Sequence, residues 1–181
     1  MDFFSTPQGQ LIAGAHRYLT SARLLRFSET WDERPSLLQT PVLHLISHGV
    51  ELLLKFPLVA SGFDPNEVKR RFGHNLLDLW NDDANEPVRE LSLGRAVEAW
   101  ADARSNGTWP EDDFDKDPRV EILKALERLS WLHSRESDFA LRYVTQPDTT
   151  APRPAFLIDV FCDVAERLAK NSSMVRPPFF S

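Results

Sequence analysis

The stretch Val42-Leu43-His44-Leu45-Ile46-Ser47-His48-Gly49-Val50-Glu51-Leu52-Leu53-Leu54-Lys55-Phe56 decides the fold. Its apolar residues fall on every side of a helical wheel rather than along one stripe. A helix that is apolar nearly all round has to be surrounded by others. Into this run the chain inserts His44, His48, Glu51 and Lys55, at steps of four, three and four, so that they share one side of the helix. Polar groups in an apolar run are costly unless paired. The stretch is therefore expected to be a central helix carrying a buried polar ladder, with partners for Glu51 and Lys55 coming from His74, Arg142 or Tyr143.

The surrounding helices are signposted. Thr6-Pro7 is a cap followed by proline at the first helical position. Leu11, Ile12, Ala15, Leu19, Ala22 and Leu25 then recur at helical spacing, to a stop near Phe27. Residues 28–39, with Trp31 and Pro35, read as a polar connection. Thr40-Pro41 repeats the start signal for the central helix, Pro57 should kink its end, and Gly62 terminates it. Residues 63–72 read as a loop. A third helix starts around Gly73-His74 with Leu76, Leu77 and Trp80. A fourth opens at Pro87 with Val88, Leu91, Val97, Trp100 and Ala101, and stops at Asn106-Gly107. After an acidic, solvent-exposed loop, Asp117-Pro118 caps a fifth helix with Val120, Leu123, Leu126 and Leu129, reaching about Arg135. Leu141-Arg142-Tyr143 reads as extended and residues 144–154 as irregular. The last helix spans 154–170, with Phe156, Leu157, Val160, Phe161, Val164 and Leu168 on one stripe and the pairs Asp163/Arg167 and Glu166/Lys170 outside. The expected fold is all-α: an antiparallel bundle of about five to six helices in one domain, residues 1–181, with a core over 8–170 and an irregular tail over 171–181 whose Phe179 and Phe180 are suited to docking.

Composition narrows the function classes. With 181 residues, 42% hydrophobic and 27% charged, the chain can bury a core without staples. Its single cysteine, Cys162, rules out an internal disulfide and suits a reducing cytosol. Met1-Asp2-Phe3-Phe4 lacks the basic start and apolar run of a signal peptide. The greasiest region, Val42 to Ala60, is broken by two histidines, Glu51 and Lys55. A cytoplasmic location and no membrane partner are expected. The formal net charge of −6 argues against nucleic-acid binding by global attraction, so any such contact must be local, and DNA is not expected.

Several constellations could carry chemistry. Lys69-Arg70-Arg71-Phe72-Gly73-His74 is the one concentrated positive segment, and it precedes a helix start, where free N–H groups and the dipole favour an anion. A phosphate would fit there; the plainer reading is a solvated basic loop. Asp113-Phe114-Asp115-Lys116-Asp117 begins like a calcium loop, but Pro118 stands where glycine is needed and Lys124 where a bidentate glutamate is needed. His44, His48 and Glu51 spread over two turns, too far for one ion without another helix. No metal and no cofactor are expected. Cys162, Trp80, Trp100 and Trp131 sit at packing phases.

In order and spacing, His48-Gly49-Val50-Glu51-Leu52-Leu53-Leu54-Lys55, then Gly73-His74-Asn75-Leu76-Leu77-Asp78-Leu79, then Leu141-Arg142-Tyr143 resemble the HEPN-like helical proteins of prokaryotes, over residues 8–170. The resemblance implies a helical bundle, often a homodimer. It also implies either a non-catalytic module binding a nucleotide, an RNA element or a protein partner, or a metal-independent ribonuclease of a toxin–antitoxin or defence system. The favoured expectation is the binding module, with a pocket near His74 lined by Glu51, Lys55, Arg70, Arg71, His74, Arg142 and Tyr143. The ribonuclease members carry an arginine followed four to six residues later by a histidine, and Arg128 and His133 meet that spacing. There Arg128 would clamp a phosphate and His133 would move a proton. On a straight helix residues five apart point about 140° from each other, so this alternative needs a helix break or a dimer.

Overall fold

Proline and a capping oxygen start most of the helices. In the computed structural model, which describes residues 2–109, 114–134, 137, 141 and 151–171, α1 runs Pro7–Arg26, with the Thr6 hydroxyl oxygen accepting the Gly9 N–H at 3.1 Å. The others are α2 Glu29–Glu33, α3 Pro35–Ala60, α4 Pro65–Phe72, α5 Leu76–Asn81, α6 Glu86–Asn106, α7 Pro118–Leu132 and α8 Pro154–Lys170. Single turns of 3-10 helix precede α1 and α6. Among the described residues there is no strand, and the molecule is an all-α bundle.

Helix α3 is the centre. It packs along α1 and also touches α2, α4, α5 and α8, while α6 lies against α8 and α7. Ile46, Val50, Leu53, Leu54, Phe56 and Leu58 of α3 are fully buried, within one contiguous apolar core that Phe156 and Phe161 of α8 complete. This burial explains the apolar composition of α3. By length and composition alone the helix could cross a bilayer, yet 72% of its most apolar window lies inside the protein.

Two segments read as connections are helical. Residues 28–39 contain α2 and the start of α3, which begins at Pro35 and not at Pro41. Pro35 is preorganised for the first helical position. Pro41 forfeits a bond to the Leu37 carbonyl, on a turn exposed enough for water to replace it. Trp31 of α2 is buried under the Arg26 guanidinium, 4.6 Å from the ring centroid. Residues 65–72 form α4, because Asp64 caps Asn66 and Glu67 and Pro65 opens the helix. Lys69, Arg70 and Arg71 therefore occupy a helix C-terminus, where cations complement the dipole, before Gly73 turns the chain at φ +54°.

Helical phase also differs. The buried face of α6 is Val88, Ser92, Ala96, Ala99 and Ala103, small residues that admit close neighbours, with Leu91 and Trp100 at its margins and Ala101 exposed. On α7, Ile122, Ala125, Leu126, Leu129 and Leu132 are buried while Val120 and Leu123 are exposed. The helix stops at Leu132, short of Arg135.

The acidic loop is not simply solvated. Trp109 and Phe114 are buried against Phe156, and the Trp109 indole N–H donates to Asp159 at 2.9 Å. Asp163 bonds Arg23 (3.0 Å) and Arg95 (2.8 Å) from neighbouring helices rather than Arg167, which lies 3.8 Å from Glu98. Glu166 and Lys170 do pair, at 2.6 Å. Cys162 is a buried free thiol. Arg142, Tyr143, Phe179 and Phe180 lie outside the described residues.

The α1–α3 contact is tight at Gly49, where an added Cβ would sit 2.7 Å from Leu19 Cγ. Gly49→Ala is expected to cost about 1–3 kcal/mol by overpacking. Gly94 lies inside α6 with nothing within 4 Å of its Cβ position, so Gly94→Ala should stabilise by about 0.5–1 kcal/mol. Urea unfolding midpoints read both, and equal shifts in one direction contradict this packing.

Candidate functional site

Glu51 is 5% exposed on the buried side of α3. One turn later Lys55 Nζ donates to Glu51 Oε1 at 2.5 Å, and also to the Gly73 carbonyl at 2.8 Å. Glu51 Oε2 lies 2.9 Å from His74 Nδ1 and 3.8 Å from His48 Nδ1. Burial pushes the Glu51 carboxyl pKa upward, but hydrogen bonds from His48, His74 and Lys55 outweigh it and hold the value down to about 2. The carboxylate is thus ionised across the neutral range and can only accept. The proton in the His74–Glu51 bond sits on His74 Nδ1, which makes Nε2 of the neutral ring an acceptor.

This ladder fixes the link between α4 and α5. Lys55 holds the carbonyl of Gly73, Glu51 holds the ring of His74, and Asn75 caps α5 by accepting the N–H groups of Leu77 (3.1 Å) and Asp78 (3.2 Å). The Leu77 N–H also reaches Ser130 Oγ of α7 at 3.2 Å. These amides are the ones expected to stand open for an anion. Both are occupied by protein oxygens.

A cavity of about 800 Å³ opens beside the link instead. Phe72, His74, Asn75 and Leu77 form one wall, and Lys124, Glu127, Arg128, Ser130, Trp131, His133 and Ser134 form the other. Of the residues expected around His74, Glu51 and Lys55 support its ring from behind. Arg70 and Arg71 are not among the lining residues, and Arg71 lies 3.4 Å from Asp82 with its guanidinium over the Phe72 ring.

Arg128 and His133 do line one cavity. His133 is the C-cap of α7, its N–H still bonded to the Leu129 carbonyl at 3.1 Å, and the cavity is wide enough to reach both side chains. The Arg128 guanidinium lies 4.2 Å from the Trp131 ring centroid. Trp131 is half-buried, packed against the core and also lining the cavity. The His133 ring neighbours those of His44 (5.8 Å) and His74 (6.0 Å), while His74 and His48 flank Glu51. Both ring nitrogens of His133 are sealed from solvent, whereas the His74 side chain is 52% exposed. Among the described residues no three acidic, histidine or cysteine side chains converge as metal ligands. The wall residues Lys124 and Trp131 were missed by motif reading, although with Arg128 they follow the helical spacing of four and three.

Compared with known proteins, the chain matches no family model, no curated protein and no solved structure at a significant level.

Two outcomes test the ladder. Glu51→Gln leaves a buried ammonium without its counter-charge and should cost on the order of 3–5 kcal/mol, most of it recovered when Lys55→Met is added. In the wild type the Glu51 contribution is present above the ordinary carboxyl pKa of 4.5 and is lost as pH falls from there through about 2. Chemical denaturation at stepped acid pH should show this loss, and the double variant should lack it.

Proposed function

We propose that this protein is a HEPN-like, non-catalytic module that binds a nucleotide, or the phosphate and base of an RNA element, in the cavity between the α4–α5 link and α7. The observation that carries this reading is the meeting of Lys124, Arg128 and His74 with the Trp131 ring around one space of about 800 Å³. Cations and a guanidinium suit phosphate oxygens. An indole face at half burial suits a base, whose stacking is worth about 1–3 kcal/mol. The volume falls in the range of small-ligand sites. With a net charge of −6 the chain offers no global attraction to a polyanion, which favours a contact of one or two phosphates made by these side chains.

The ribonuclease reading keeps one supporting observation: Arg128 and His133 share the cavity despite their spacing. It is the weaker reading because general acid–base work requires a ring nitrogen within reach of the substrate, and those of His133 are sealed. This second reading requires the homodimer that the resemblance implies, and the toxin–antitoxin association goes with it.

Calorimetric titration with AMP and with a short single-stranded RNA, in the presence of a chelator, tests both. Binding is expected without cleavage. Lys124→Ala and Arg128→Ala should each weaken it by ~10-fold or more, the scale of a charged hydrogen bond. RNA cleavage that survives the chelator and disappears in His133→Ala would install the ribonuclease instead. Absence of binding by either probe removes the first reading.

A further inference from the structure

Leu24, Phe27 and Leu37 are 70%, 49% and 56% exposed, and they stand in one corner of the bundle, where the end of α1 passes through α2 into the start of α3. A lone aliphatic group on a surface needs no explanation. Three in so short a segment, one of them the most exposed large apolar side chain among the described residues, make a patch of the kind that marks a contact surface. Leu24 lies on the side of α1 opposite Ala15, Leu19 and Ala22, and Phe27 follows it as the helix cap. The corner is also held firmly. Trp31, 4% exposed, anchors α2 under the Arg26 guanidinium, which covers the Phe27 ring as well, at 5.3 Å. The Ser28 hydroxyl accepts the Trp31 N–H at 3.3 Å and donates to the Leu25 carbonyl at 2.7 Å. A partner therefore meets a preformed surface and loses little to ordering it.

Charge decides the kind of partner. With Trp31 turned inward, Glu29, Asp32 and Glu33 face solvent, and none of the three forms an ion pair among the described residues. Arg26 is buried, so Arg34 is the one exposed cation of residues 24–37. Three carboxylates against one exposed cation disfavour an anionic lipid surface and a polynucleotide. They also disfavour a second copy, because a twofold contact would set the same carboxylates against each other. A cationic partner carrying its own apolar side chains matches both the charge and the patch.

We propose that the corner formed by the end of α1, α2 and the start of α3 is a docking surface for a basic amphipathic helix of another protein. Apolar anchors one turn apart on that helix would cover Leu24, Phe27 and Leu37, and its Lys or Arg residues would stand beside Glu29, Asp32 and Glu33. None of these residues lines the cavity beside His74, so this surface is independent of nucleotide binding.

The test titrates the full chain into a fluorescent peptide of leucine and lysine, patterned as an amphipathic helix about 18 residues long, and reads anisotropy. Saturable binding is expected. A scrambled peptide of the same composition and a leucine–glutamate helix should each bind at least ~10-fold more weakly. Leu24→Ser combined with Leu37→Ser should weaken binding by ~10-fold or more, and so should Glu29→Gln combined with Glu33→Gln, with wild-type circular dichroism because these side chains are exposed. Glu67→Gln combined with Glu90→Gln removes the same charge from exposed sites elsewhere and should leave binding unchanged. The glutamine pair at 29 and 33 decides the matter if the serine pair loses its fold. No binding of the leucine–lysine peptide, equal binding of the scrambled peptide, or equal weakening by the changes at 67 and 90 overturns the proposal. Self-association of the wild type in sedimentation, or its adsorption to anionic vesicles, that the serine pair abolishes assigns the patch to another occupant and overturns it too.

Discussion

Glu51 places a negative charge on a helix otherwise sealed inside the bundle, and a buried carboxylate persists only where donors surround it. Lys55 supplies one donor from the next turn of the same helix. The rest must come from elsewhere, and the chain brings His74 to meet the second oxygen. Satisfying this one charge anchors the α4–α5 link on α3, and the cavity is the space between that link and α7. The half-exposed imidazole at its edge is a consequence of the same requirement, since a group holding a buried carboxylate from outside the core has one edge in and one edge out.

A second network does comparable work on the far side of α1. Arg23 and Arg95 meet Asp163, and Asp159 receives the Trp109 indole N–H. Burial pushes the Asp159 carboxyl above its usual range, against the pull of Trp109 and Arg23. These groups tie α1, α6, α8 and the start of the acidic loop together. Nearly every charge in this network meets another on the protein. The cavity wall on α7 carries Lys124, Glu127 and Arg128.

Polar backbone accounting holds the centre in place. The Asn85 amide, fully buried, donates to the Leu54 and Leu79 carbonyls at 2.9 and 2.8 Å, and the Arg89 guanidinium donates to the carbonyls of Trp80 and Asp82. The short helix α5 thus ends on partners from its own neighbourhood, as a six-residue helix must, because it has few internal bonds of its own.

Much of the scaffold was legible beforehand. The all-round apolarity of 42–56, the Thr6-Pro7 and Asp117-Pro118 starts and the Gly107 stop mark helices through local chemistry, and these helices form where expected. The His74–Glu51–Lys55 contact followed from the cost of burying charge. Other features depended on neighbours. Pro41 reads as a helix start but lies within α3, since Pro35 is the better-placed first residue. Lys69, Arg70 and Arg71 read as part of a basic loop but form the last turn of α4. Arg128 and His133 read as divergent along the helix, yet both line one cavity, which is wide enough to span their two directions. By itself the sequence determined which segments are helical and which charges need partners, because propensity, capping and burial cost act within a few residues. Only the tertiary structure decided which side chains share the cavity and which ring nitrogens reach water, because those depend on where helices end and how they pack across distances no local pattern encodes.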